Sequence, residues 1–316
     1  MITVEKLTKS FGPKLAVDNL SFSVEKGEVL GFLGPNGAGK STSMRMITGF
    51  LAPTDGKVTV CGFDVIEQPL KTRSRIGYLP ENAPMYSDMS VFGFLSFCAD
   101  LRGLSGSAKH QALDRAVQRC FLEPVLHQSV DTLSKGYRHR TCLAQAIVHD
   151  PEVLVLDEPT DGLDPNQKHE VRALIREMGQ DKAIIFSTHI LEEVEAACTR
   201  AIIIDRGKIV ANGTPNELKK QAPHAGTVVL GLKGAAWSTV QNELGVLHSL
   251  ERAELISETN GKTTIRLQPK GNLLPELLAV AQRQNWQIEH LNVDEGRLDD
   301  VFRLITLPDT ERPSDK

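Results

Sequence analysis

Apolar residues follow two alternating rhythms along this chain. Short runs, Glu28-Val29-Leu30-Gly31-Phe32-Leu33, Val153-Leu154-Val155-Leu156, Ala183-Ile184-Ile185-Phe186 and Ala201-Ile202-Ile203-Ile204, read as buried strands. Helical spacing covers residues 40–49, 165–178 and 190–198, and Asp164-Pro165 supplies a cap and a first-turn proline to the second of these. This alternation predicts an α/β domain with a mostly parallel sheet. Residues 88–149 show helical patterns with little β-branched clustering, so they predict a mostly helical insert.

The rhythm breaks at Gln221-Ala222-Pro223-His224-Ala225-Gly226, which divides a first domain, 1–220, from a second, 227–307. The second reads strand (227–232), helix (235–246), strand (250–258), strand (262–268), helix (272–285), strand (286–293) and helix (297–306). A turn at Asn260-Gly261 joins the middle strands as a hairpin. That order fits a small α+β, ferredoxin-like domain. Residues 308–316 read as a frayed tail.

Composition narrows the class without naming a chemistry. The 316 residues are 41% hydrophobic and 24% charged, an ordinary globular balance that excludes disorder, collagen and coiled coil. Lys and Arg number 36 against 40 Asp and Glu, a net charge of −4, so no basic excess advertises nucleic acid. Five cysteines, none in a C-x-x-C pair, fit buried thiols in a reducing cytosol. Glu5, Lys6 and Lys9 interrupt any signal-peptide stretch, and the apolar runs fall far short of a membrane helix. A role at a membrane would therefore need a partner that spans it.

The chemistry begins at Gly34-Pro35-Asn36-Gly37-Ala38-Gly39-Lys40-Ser41, which matches G-x-x-x-x-G-K-[ST] between a strand and a helix. Glycines let backbone N–H groups curl around phosphate oxygens, and the helix aims its positive end at them. Lys40 would bridge the β- and γ-phosphates, the Ser41 hydroxyl would ligate Mg²⁺, and Thr42 would serve the α-phosphate side. Asp157 and Glu158 close an apolar strand. After a P-loop, the aspartate is the expected Mg²⁺-side carboxylate, and Glu158 is placed to orient or deprotonate an attacking water. His189, at another strand end, is a hydrogen-bond partner for the γ-phosphate. Taken singly, Asp157 could be a capping residue, Glu158 a solvated loop charge and His189 structural.

Together with Leu133-Ser134-Lys135-Gly136-Tyr137, Leu156-Asp157-Glu158-Pro159-Thr160, Gly162-Leu163-Asp164 and Ser187-Thr188-His189, the P-loop resembles the motif order of ABC transporter ATPases over about residues 1–215. The resemblance implies a P-loop cassette with an antiparallel N-terminal sheet and a helical insert. It also implies ATP as substrate with Mg²⁺, catalytic roles for Lys40, Glu158 and His189, and an adenine-stacking role for Phe11. Ser134, Lys135 and Gly136 would bind the γ-phosphate of a nucleotide held by a second copy, and Asp164 lies in the loop coupling the two sites. A head-to-tail homodimer or a closely related partner follows from that division.

Two motifs depart from the family pattern. Lys135 and Tyr137 replace a glycine and the glutamine of the signature; lysine tolerates positive φ poorly, yet its charge would favour phosphates. Glu81, in Ile76-Gly77-Tyr78-Leu79-Pro80-Glu81, replaces the Q-loop glutamine, still offers oxygen to Mg²⁺, and adds negative charge. The Pro-rich stretch from Tyr78 to Tyr86 and the closing Leu298-Asp299-Asp300-Val301-Phe302-Arg303-Leu304 are similar to the gliding-motility type of ATPase serving type-2 ABC exporters. That class pairs with separate multi-pass membrane subunits, which implies a peripheral position on the cytoplasmic face of the membrane. Competing readings are a soluble ABC ATPase acting on ribosomes or DNA, and a regulatory cassette that binds ATP without turnover. A single P-loop and the 117 residues from Lys40 to Asp157 (157 − 40) leave no room for fused cassettes or long coiled coils between those motifs.

Overall fold

The structure, a computed structural model, describes residues 1–306 apart from 83 and 260. Asn260 of the expected turn, Ala83 of the Pro-rich stretch, and residues 308–316 of the expected tail thus lie outside the described residues. The chain divides into two compact units, Met1–Pro215 and Asn216–Lys316.

The first unit opens with β1 (Ile2–Phe11) and β2 (Lys14–Val24), then β3 (Val29–Leu33), α1 (Lys40–Ile47), β4 (Asp55–Val60), β5 (Phe63–Asp64), α2 (Pro69–Arg73) and β6 (Ile76–Leu79). Three helices follow, α3 (Val91–Leu101), α4 (Gly106–Arg119) and α5 (Lys135–Ile147), in the region expected to be a helical insert. The chain then runs through β7 (Val153–Asp157), α6 (Pro165–Met178), β8 (Ala183–Thr188), α7 (Leu191–Ala197), β9 (Arg200–Asp205), β10 (Lys208–Gly213) and α8 (Pro215–Lys219). The six-stranded sheet has the order β10-β9-β3-β8-β7-β6. Its neighbours pair in parallel except β10 against β9. A second sheet, β2-β1-β4-β5, is the antiparallel one.

Continuous apolar strands arise because both faces of the central sheet are covered. On β7, Leu154 and Leu156 join the core shared with α3, α4 and α5, whereas Val153 and Val155 join the core shared with the antiparallel sheet. Successive side chains on a strand point to opposite faces, so a strand covered on both sides needs apolar residues at every position. The antiparallel sheet shows the contrasting pattern: Ile2 and Val4 of β1 are buried and Thr3 and Glu5 exposed. The carboxyl ends of β3, β6, β7 and β8 lie along one edge of the parallel sheet, the edge where such folds place ligands.

The second unit contains β11 (Val228–Lys233), α9 (Trp237–Leu244), β12 (Leu250–Thr259), β13 (Lys262–Pro269), α10 (Leu273–Arg283), β14 (Gln287–Val293) and α11 (Leu298–Ile305). Its sheet, ordered β12-β13-β11-β14 with antiparallel pairings, is the split βαβ arrangement expected. Val228, Leu230 and Leu232 alternate onto a core with Val240 and Leu244 of α9 and Leu277 and Val280 of α10. The division falls at 215/216, several residues before the expected break at 221–226. The reason is packing: the Lys219 carbonyl closes against Gly296 so tightly that no Cβ would fit there, so the end of α8 packs with the second unit.

Candidate active site

The loop between β3 and α1 is built around the Lys40 ammonium. Gly34 sits against the Ile204 carbonyl where a Cβ would clash, and Gly39 has φ 106° with the Ala16 carbonyl 2.6 Å from where a Cβ would stand. Both positions therefore require glycine. The Lys40 Nζ donates to the carbonyls of Gly34 (2.7 Å) and Pro35 (3.2 Å) and lies 4.0 Å from Glu158 Oε1. Burial lowers the Lys40 pKa, and the carboxylates of Glu158, Asp157 and Glu81 oppose that shift. Gly39 caps α1 through its backbone, with no side-chain hydrogen bond to the helix's first N–H groups. Those donors are left to an anion.

Asp157 ends β7 fully buried. Its Oδ1 accepts from Ser41 Oγ (3.2 Å) and Ser187 Oγ (2.5 Å), while Oδ2 is buried without a hydrogen-bond partner. An unpaired buried carboxylate oxygen carries a full desolvation penalty unless a ligand meets it. Together with the Ser41 hydroxyl it fits a hard divalent cation such as Mg²⁺, with Glu81 offering a further oxygen across the same cavity.

Glu158 follows with φ 51°, and its N–H donates to Ser187 Oγ (2.9 Å). Its carboxylate Oε2 lies 3.0 Å from His189 Nδ1. Burial pushes the Glu158 carboxyl above the usual range, against the opposing pull of His189 and Lys40. A carboxyl so placed can take a proton near neutral pH more readily than an exposed one.

Of these groups Lys40, Ser41, Glu81 and Glu158 line a cavity of about 530 Å³, while Asp157, Ser187 and His189 stand behind them. Asn36, Gly37, Gly39, Lys40, Ser41 and Thr42 form one wall, Phe11, Lys14 and Ala16 another, and Glu81 and Glu158 complete it. Gly34, Pro35 and Ala38 act from behind this wall: the Ala38 N–H donates to the Pro35 carbonyl at 3.2 Å. Phe11 is half exposed beside the phosphate-binding loop, with the Lys9 ammonium 5.3 Å from its ring centroid.

Ser134, Lys135, Gly136 and Asp164 do not line this cavity. Ser134 caps α5 by accepting from the Tyr137 N–H at 3.3 Å. Lys135 is the first residue of α5 and has no positive φ, so its departure from glycine strains nothing. Its ammonium lies 2.8 Å from Asp161 Oδ2. Gly136 packs where a Cβ would stand 2.7 Å from Gln167 Oε1, and Asp164 caps α6 by accepting from the Gln167 N–H at 2.9 Å.

Lys14 and Glu193 escaped sequence reasoning, and Ser187 entered it only as part of its motif, without a role. Lys14 faces the cavity from the start of β2. Ser187 links Asp157 to the Glu158 backbone. Glu193, buried on α7, accepts from Thr160 and from Thr188 Oγ1 (2.7 Å), tying the loop after Glu158 to the end of β8. An acidic residue on the apolar face of a helix, in its first turn and five residues after a strand-end Thr, is the available signal for Glu193.

Residues 17–161 match the family model described as ABC transporter. The chain is 36% identical to the Nod factor export ATP-binding protein I of Paraburkholderia xenovorans over 96% of each chain. It is 37% identical to the probable multidrug ABC transporter ATP-binding protein YbhF of Escherichia coli over 70% of this chain, and spans only 38% of that protein's length. A solved structure described as the ATP binding subunit of an ABC transporter superposes with a TM-score of 0.65 at 28% identity, covering 70% of this chain and 92% of the other. Among the described residues no helix is long and apolar enough to cross a membrane.

Proposed function

The chain belongs to the ABC transporter ATPases, and we propose that it is the ATP-hydrolysing subunit of an exporter, working as a homodimer beneath separate multi-pass membrane subunits on the cytoplasmic face. The observation that carries the hydrolytic role is the convergence on one cavity of the buried Lys40 ammonium and the raised carboxyl of Glu158, 4.0 Å apart, beside the Ser41 hydroxyl that donates to Asp157, whose second oxygen has no partner.

In this role the loop N–H groups and Lys40 hold the β- and γ-phosphates, and Phe11 stacks on the adenine. Ser41, Asp157 and Glu81 supply oxygens for Mg²⁺, which when bound neutralises phosphate charge. Glu158 orients water for in-line attack on the γ-phosphorus and accepts its proton as the bond to the ADP oxygen breaks. His189 holds the Glu158 carboxylate in place and reaches toward the γ-phosphate. Ser134, Lys135 and Gly136 meet the nucleotide of the second copy, and Asp164 positions the loop between the sites. Their absence from this chain's own cavity supports that division.

The export reading is supported by relatives whose names specify Nod factor export and multidrug transport. The near-neutral charge supports a load other than nucleic acid. Glu158→Gln tests hydrolysis: the variant is expected to bind ATP, form a stable dimer and lose turnover. A wild-type chain that fails to hydrolyse ATP with its membrane partner present would leave only the regulatory reading. Purification from membranes tests the transporter reading, with co-isolation of a multi-pass protein expected.

A further inference from the structure

We infer that Lys135 and Asp161 form an exchangeable latch, in which Asp161 holds the Lys135 ammonium until the nucleotide of a second copy takes it over. The inference rests on the homodimer reading above and deepens it, because it concerns what the signature end of α5 does before the dimer forms.

The pair joins the start of α5 to the turn that follows β7, which His139 of α5 also faces. Lys135 begins α5, immediately after its cap Ser134. Asp161 sits in the turn that starts at Glu158, where the Asp161 N–H donates to the Glu158 carbonyl at 3.1 Å. The Lys135 side chain lies flat over Gly162, whose φ is 71° and where a Cβ would stand 2.5 to 2.9 Å from Cδ, Cε and Nζ. Gly162 therefore provides the track along which the lysine reaches Asp161. The ammonium holds the Asp161 carboxyl below its ordinary range, as expected for a formed ion pair.

Exposure makes the latch easy to open. Lys135 is 68% and Asp161 50% exposed, and pairs of this kind are weak, so breaking one shifts an equilibrium by roughly 2- to 5-fold. A triphosphate carries several charges and accepts charge-assisted hydrogen bonds better than one solvated carboxylate. Arrival of the partner's nucleotide at the α5 N-terminus thus draws Lys135 away. Asp161 is then freed within the turn that begins at Glu158. Occupancy of one site is in this way reported to the hydrolytic glutamate of the other. Asp161 is a positioning residue here: it touches no substrate and acts through Lys135.

The test uses the full chain carrying Glu158→Gln and reads the ATP concentration at the midpoint of dimer formation by light scattering. Adding Asp161→Asn is expected to lower that midpoint about 2- to 5-fold, because Lys135 no longer has to leave a partner. Asp161→Glu, which keeps the charge, should stay near the parent. Lys135→Ala should raise the midpoint, and in that background Asp161→Asn should have no further effect. A midpoint unchanged or raised by Asp161→Asn, or effects that simply add in the double variant, would overturn the latch with the dimer reading intact. A parent chain that forms no dimer with ATP would overturn the dimer reading, and the latch with it.

Discussion

Two helices of the first unit begin where phosphate chemistry is expected, and their N-termini differ. The first N–H groups of α1 have no side-chain cap, and they sit at a cavity lined by a buried lysine and by Ser41, which donates to a carboxylate whose second oxygen has no partner. At α5, the Ser134 hydroxyl caps the helix and the Lys135 ammonium is satisfied by Asp161. Unpaired buried polar groups are costly, so α1 shows a site that is organised for a ligand and incomplete without one. Exposed groups are already solvated, so α5 can remain self-satisfied until a partner arrives. On the proposed division, one half of the site is preorganised by burial and the other is held in reserve at the surface.

The largest effect should come from breaking the buried half. Lys40→Ala removes the ammonium that holds the loop carbonyls and faces the phosphates, and is expected to weaken ATP binding by 100-fold or more, on the order of 3 kcal/mol for a charge-assisted contact in a buried site. Equilibrium binding with a fluorescent ATP analogue would check this.

Glu158→Gln should leave binding intact while hydrolysis falls below detection. Because burial raises the Glu158 pKa, the ionised carboxylate costs stability above its folded pKa, and that cost disappears as pH falls through that value and then through 4.5. The Gln variant should accordingly melt slightly higher than wild type at pH 8, with the difference closing in acid. In wild type, the acid limb of the pH–rate profile should lie above 4.5, since turnover needs the deprotonated form.

The surface half should respond differently. Ser134→Asp keeps a good helix cap but sets a negative charge toward the partner's phosphates. It should leave ATP binding by the isolated chain unchanged and abolish ATP-dependent dimerisation. Ser134→Ala, which loses the cap, should cost about 1 kcal/mol of stability by denaturant unfolding.

The smallest effect is expected at Glu81→Gln. The amide keeps an oxygen facing the cavity and removes one negative charge near phosphate. ATPase activity should be retained, and a complete loss with folding intact would assign the carboxylate a specific role.

The buried half was legible in the sequence because its signals are local. Gly34 to Ser41 is one contiguous motif, and the period-two sorting of Val153 to Leu156 into two cores follows from an unbroken apolar run before Asp157. The split βαβ order of the second unit was legible from element spacing alone. Hidden features depend on contacts between distant residues. Ser187 earns its role from a strand register that sets it opposite Asp157, and Lys14 from the turn that brings β2 to the cavity. The concern over Lys135 assumed a backbone conformation that its place at the start of α5 does not require. Placing the domain break at 221–226 followed composition, whereas α8 follows the packing of Lys219 against Gly296.

Division of the site between two copies is tested most directly by mixing two defective chains. Lys40→Ala lacks a working cavity and Ser134→Asp lacks a working signature, so neither should associate with itself when ATP is added. Labelled with different fluorophores and mixed, they can form one composite site from the intact cavity of the second and the intact Ser134 of the first. ATP-dependent energy transfer between the two, weaker than for the parent chain, is the predicted result. No transfer from the mixture, or self-association by Ser134→Asp alone, would contradict a site shared between two copies.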